Sequence, residues 1–114
     1  MQLDNIVAVL PVKDFATARD WYAALLGRPA DVEPMDDVAE WQIADKAWIQ
    51  VGVDPDVAGK SSVILGVSDL DAHVEYLRSS EIADGVLEEY PVVKTFTVLD
   101  PEGNKVVFVE EVTS

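Results

Sequence analysis

An apolar strand that runs into an aspartate, followed by a helix with an aromatic residue in its second turn, occurs twice in this chain at one fixed spacing. Residues 7–15 read Val-Ala-Val-Leu-Pro-Val-Lys-Asp-Phe, and residues 62–70 read Ser-Val-Ile-Leu-Gly-Val-Ser-Asp-Leu. Val12, Asp14, Phe15 and Trp21 recur as Val67, Asp69, Leu70 and Tyr76, each 55 positions later. A repeated supersecondary unit restricts the architecture more than any single motif does. Each copy has about 55 residues, too few to bury a sheet well alone, so the two copies must share a core.

Within each copy the local signals agree. Residues 4–12 form an apolar, β-branched run that ends at Pro11-Val12, as a buried strand does. Asp14 is placed to cap a helix whose apolar stripe is Phe15, Ala18, Tyr22 and Leu25, with Gly27 and Pro29 ending it. A short extended piece at 30–33 and a turn at 34–37 lead to a hairpin of strands 38–44 and 47–53, closed by Asp45-Lys46. Residues 54–60, polar and rich in breakers, connect the copies. The order then repeats: strand 62–68, Asp69 as cap, a helix with the stripe Leu70, Val74 and Leu77, an extended piece at 84–89, and strands 92–99 and 105–111. The last two are joined by Asp100-Pro101-Glu102-Gly103-Asn104, which suits a type I turn with Asn104 tolerating a left-handed conformation. The expected fold is α+β: one domain of two βαβββ units, 1–53 and 61–114, forming one curved mixed sheet with an open cleft and the helices on its outer side.

Composition narrows the function classes. Twenty-two acidic against eight basic residues give a net charge of −14. Such a surface repels phosphate backbones and excludes nucleic acid as a partner, while it attracts cations. No apolar run approaches the roughly 20 residues of a membrane helix. The first five residues lack a signal peptide's basic and apolar regions. The absence of cysteine removes disulfide and thiolate chemistry, and the expected location is the cytoplasm. No nucleophile elbow is present. The one histidine, His73, is expected to face outward from the second helix. Glu88-Glu89 and Glu110-Glu111 are adjacent in strands, so each pair splits between opposite faces and forms no dyad.

Val12-x-Asp14, Trp21-Tyr22, Leu26-Gly27, Val67-x-Asp69-Leu70-Asp71 and Asp100-Pro101-x-Gly103-Asn104, in this order on a duplicated unit, resemble the vicinal oxygen chelate superfamily, the glyoxalase/bleomycin-resistance/dioxygenase group. The resemblance spans nearly the whole chain. It implies four metal-ligand positions, on the first and fourth strands of each unit, which fall here on Val7, Gln50, Ser62 and Val107. Two valines and a serine do not replace imidazole or carboxylate, and one amide oxygen does not hold a divalent ion. The expectation is therefore no metal, no cofactor, and no metal-dependent glyoxalase or dioxygenase activity.

Strand parity places Val7, Val9, Trp48, Gln50, Ser62, Ile64 and Val107 on the cleft face. Trp41 joins them as a candidate whose face the sequence does not fix. The leading expectation is a homodimeric protein that binds or sequesters a small organic, conceivably cationic, ligand, as the resemblance to the drug-sequestering branch implies. The alternatives are a metal-independent isomerase or lyase acting on a small carbonyl or hydrophobic substrate, and a subunit that only pairs with a partner. A cleft filled by its own side chains or by a partner subunit is the competing reading of the site.

Overall fold

The computed structural model describes residues 1–112; Thr113 and Ser114, the end of the expected second unit, lie outside them. The first unit runs β1 (Ile6–Val12), α1 (Phe15–Leu26), β2 (Val32–Met35), β3 (Val38–Ala44) and β4 (Ala47–Val53). The second runs β5 (Ser62–Gly66), α2 (Leu70–Ser79), β6 (Val86–Glu89), β7 (Val93–Leu99) and β8 (Lys105–Glu111). Both units are βαβββ, and both sheets have the same topology: β1-β4-β3-β2 in one and β5-β8-β7-β6 in the other. The first strand pairs parallel with the fourth, and the remaining pairs are antiparallel. Hydrogen bonding thus divides the curved surface into two four-stranded sheets, which adjoin along β1 and β5. No helix among the described residues is long and apolar enough to cross a membrane.

The helices begin and end where the sequence places them. Asp14 accepts from the Thr17 amide at 3.2 Å and from its hydroxyl at 2.8 Å, which satisfies an otherwise orphaned amide of the first turn. Gly27, at φ 77°, closes α1 in the left-handed conformation that glycine adopts without strain. Asp69 accepts from the Ala72 amide at 3.3 Å and caps α2 in the same way. Leu25 and Tyr22 from α1, and Leu70, Val74 and Leu77 from α2, are buried against one face of the sheets with Leu10, Ile49, Val51, Phe96, Val98 and Phe108.

Two expectations are corrected here. Pro34, expected in a turn, lies inside β2. β2 is an edge strand, paired only with β3, and an edge tolerates a residue that donates no ladder hydrogen bond. In the β7–β8 turn the positive φ falls on Gly103 (φ 105°) and not on Asn104. The Asn104 side chain is drawn inward instead.

That inward turn joins the units. Asn104 is fully buried; its Nδ2 donates to the Pro11 carbonyl and to Asp100 Oδ2, both at 2.8 Å, and its Oδ1 accepts from the Ser61 amide at 3.0 Å. Tyr22 of α1 donates its hydroxyl to the same Asp100 oxygen at 2.8 Å. Glu102 accepts from the Lys13 and Asp14 amides at 2.7–2.9 Å, so a carboxylate of the second unit sits at the N-terminus of the first unit's helix, where the dipole favours it. Glu110 does the same for α2 within its own unit, accepting from the Asp69 and Leu70 amides at 3.1 Å.

Gly59 completes the junction. Its φ is 76°, its amide donates to the Pro11 carbonyl at 3.1 Å, and an added Cβ would lie 2.1 Å from the Glu102 carbonyl oxygen. Gly59→Ala is expected to destabilise the protein by more than about 2 kcal/mol, combining left-handed strain with overpacking against backbone. Urea unfolding of the variant is the measurement, and a loss below about 0.5 kcal/mol would contradict the close approach.

Candidate functional site: the open face of the two sheets

The sheet faces away from the helices are less covered. On the first unit the register places Val7 beside Trp48 and Val9 beside Gln50. It also places Gln42 beside Trp48 and Glu40 beside Gln50. Registered partners share a face, so one row reads Val7–Trp48–Gln42 and the next Val9–Gln50–Glu40. On the second unit Ser62 pairs with Lys105, Ile64 with Val107, and Val107 with Thr97. Val9 is 48% and Ile64 72% exposed, while Trp48, Gln50 and Val107 are half-buried. The structure thus brings Val7, Val9, Trp48 and Gln50 together on one sheet and Ser62, Ile64 and Val107 on the other.

Trp41 does not belong to this face. It is fully buried on the helix side, where its indole N–H donates to the Arg28 carbonyl at 3.0 Å and its ring lies 6.3 Å from that of Tyr22. The cause is a β-bulge. A regular hairpin closed by Asp45-Lys46 would set Trp41 opposite Gln50, but the register shifts between Gln42 and Ala44, so Trp41 pairs with Ile49. A slip of one residue moves every side chain to the other face. The same slip delivers Glu40 to the open face, where Gln50 Nε2 donates to Glu40 Oε2 at 2.8 Å. Glu40 is the residue that sequence reasoning missed. Its signal was the alternation of apolar Ala39 and Trp41 with polar Glu40 and Gln42.

A cavity of about 330 Å³ is walled by Ile6 and Ala8 of β1, Ile43 and Ala44 of β3, Ala47, Trp48 and Ile49 of β4, and residues 63–66 of β5. No charged side chain lines it among the described residues. Ile6, Ala8, Ala47, Ile49, Val63 and Leu65 have the helix-side parity, and of the β1, β4 and β5 side chains in its walls only Trp48 and Ile64 have the open-face parity. Trp48 borders both the cavity and the open face. A second hollow of about 500 Å³ lies on the other sheet, with Ile64, Gly66, Val109 and Glu111 among its walls.

The four positions at which the family resemblance would place metal ligands hold Val7, Gln50, Ser62 and Val107, and only Gln50 carries a carbonyl donor of the required kind. Glu40 adds one carboxylate beside it. Among the described residues no group of three or more His, Cys, Asp or Glu gathers closely enough to hold a metal ion. The residues present do not fit the superfamily's metal.

The groups most displaced by burial lie on the helix side. Burial and the Asp100 carboxylate push the Tyr22 phenol far up, which leaves it a hydrogen-bond donor at any ordinary pH. His73 was expected to face outward. Its ring instead meets Phe108 edge-on at 4.6 Å, and its Nε2 is buried without a partner. Position 73 flanks the stripe of Leu70, Val74 and Leu77 at helical spacing, and packing draws it in. Burial holds His73 below its ordinary value of 6.5. The unfolded chain therefore binds the proton more readily, and stability is expected to fall as pH drops below about 6.5 until the folded-state value is passed. Thermal melts between pH 7.5 and 5 should show this slope, and His73→Leu should flatten it without loss at pH 7.5. An unchanged slope in that variant would contradict the assignment.

The class defined by this architecture is a protein of two βαβββ units with an open sheet face. A glyoxalase/bleomycin resistance protein from Catenulispora acidiphila is similar at 33% sequence identity, over 93% of this chain and 96% of that one, with a TM-score of 0.84. The chain belongs to the glyoxalase/bleomycin-resistance family, within the vicinal oxygen chelate superfamily. TnmS3, an antibiotic-binding protein from Streptomyces, shares the fold at 21% identity and a TM-score of 0.78, over 98% of this chain and 99% of that one. So does a bleomycin-binding protein from bleomycin-producing Streptomyces verticillus, solved with copper(II)-bleomycin, at 23% identity and a TM-score of 0.72, over 95% and 96% of the two chains. No family model and no curated protein sequence matches the chain.

Proposed function

We propose that this protein binds a small organic ligand on the open face without using a metal. The observation that carries this reading is Trp48, a half-buried indole flanked by Val7 and Val9, bordering the apolar cavity and adjacent to the polar pair Gln50 and Glu40. An apolar, aromatic surface with a few polar groups beside it is the usual make-up of a small-molecule site. Two proteins of the same fold bind antibiotics, which supports ligand binding as the role of this face. The net charge of −14 favours cationic over anionic ligands at long range. An isomerase or lyase would require a displaced acid or base on the open face; the displaced buried groups, Tyr22 and His73, lie on the other side, and no observation favours catalysis.

A homodimer is part of this reading. Val9, Ile64, Val86 and Leu99 leave much apolar surface exposed, and β2 and β6 are open sheet edges, both of which a second copy would cover. A cysteine-free chain suits the cytoplasm. Light scattering at micromolar concentration should give the dimer mass, and a monomer mass would contradict the pairing. The ligand reading is tested by a thermal-shift screen of small aromatic compounds on chelator-treated protein, since a ligand that binds only the folded state raises its stability. Hits that persist without metal are expected; stabilisation only by added Zn²⁺ or Ni²⁺ would overturn the reading.

A further inference from the structure

We propose that Glu40 is the recognition group of the open face and that it selects ligands bearing a protonated nitrogen on a flat apolar ring system. This inference rests on the reading of that face as a ligand site. Gln50 gives one amide N–H to Glu40 Oε2 at 2.8 Å, so what the pair still offers is the rest of the carboxylate and the amide oxygen as acceptors and one amide N–H as donor. No cation answers it. Among the described residues Arg19, Arg28, Arg78 and Lys94 are engaged with other carboxylates, and none pairs with Glu40.

A half-buried carboxylate with one neutral hydrogen bond and no counter-charge is poised to take a charge-assisted bond from a ligand. The register fixes the distance to the apolar surface. Gln50 and Trp48 are two residues apart on one strand, and Glu40 and Gln42 sit beside them on the next, so Glu40 lies diagonally from Trp48 at about 7–8 Å between backbones. A two- or three-ring aromatic laid over Trp48 and Val9 would reach Glu40 with a ring or exocyclic N–H. Anions and acceptor-only ligands would meet an unpaired carboxylate and be rejected.

The test compares proflavine, a tricyclic cation with its charge on protonated ring nitrogen, with acridone, its uncharged tricyclic counterpart. Each is titrated into chelator-treated protein at neutral pH and roughly 0.15 M salt, where long-range fields between exposed charges are largely screened. The wild-type protein should bind proflavine at least about tenfold more tightly than acridone. Glu40→Gln should weaken proflavine far more than acridone and so bring that ratio close to one, and Glu40→Asp should retain part of the preference. Circular dichroism confirms that each variant is folded. Equal affinities in the wild type, or a preference that survives Glu40→Gln, would overturn the role of Glu40 and leave the ligand face standing. Failure of both probes to bind the wild type would overturn the ligand face and this inference together.

Discussion

Asn104→Ala is expected to cost about 3–5 kcal/mol of folding stability, the largest loss foreseen for any single polar side chain in the molecule. The residue is fully exchanged from water for protein partners: Pro11 in the first unit, and Ser61 and Asp100 in the second. Alanine would leave the Ser61 amide unpaired at about 1–3 kcal/mol, reduce the Pro11 carbonyl to its bond from the Gly59 amide, remove a donor from a buried carboxylate and open a cavity in a fully buried site. Tyr22→Phe tests the same network from the other side. Asp100 would keep bonds from Asn104 and from the Glu102 and Asn104 amides, so the loss should be smaller, about 1–2 kcal/mol. Urea unfolding of both single variants and the double variant measures the coupling. Strict additivity would mean that the two side chains do not act through one carboxylate.

The second large effect separates two tryptophans seven residues apart. Trp41→Ala removes a fully buried indole that bonds the Arg28 carbonyl, and about 3–5 kcal/mol of stability should go with it. Trp48→Ala should spare most of that stability, because Trp48 is only partly covered. Its loss should instead weaken binding of an aromatic ligand more than about tenfold, the usual scale for an aromatic contact in a desolvated site. Unfolding and titration on each variant measure both quantities. A Trp48→Ala protein that loses 3–5 kcal/mol and binds normally would make Trp48 ordinary core.

These two residues also show what the sequence could convey. The repeat, the caps at Asp14 and Asp69, and Gly27 are local signals that depend on a few neighbouring residues, and strands 38–44, 47–53 and 105–111 match β3, β4 and β8 residue for residue. The faces of β1, β4, β5 and β8 followed from parity because their pairing is regular. The face of β3 did not follow from the Asp45-Lys46 turn, because one bulged residue reverses the register that turn would set; only the alternation of Ala39 and Trp41 with Glu40 and Gln42 pointed to it. Trp41 and Glu40 exchanged faces for that reason. The junction of Asn104, Asp100, Tyr22 and Glu102 was hidden for a different reason: its hydrogen bonds span up to 93 positions. The Asp100–Asn104 motif read as a turn, and its greater task, holding the two units together, exists only in three dimensions. His73 shows the limit of a helical stripe, whose flanking positions are decided by packing and not by periodicity.

The most direct measurement follows the three indole N–H resonances by NMR while proflavine is added to chelator-treated protein. Trp21 half-covers the core from α1, Trp41 lies within it, and Trp48 faces the proposed site. Binding on the open face should shift or broaden the Trp48 resonance in a saturable way and leave that of Trp41 in place. A saturable response confined to Trp21 or Trp41, or none at all at concentrations that stabilise the protein, would contradict the central claim.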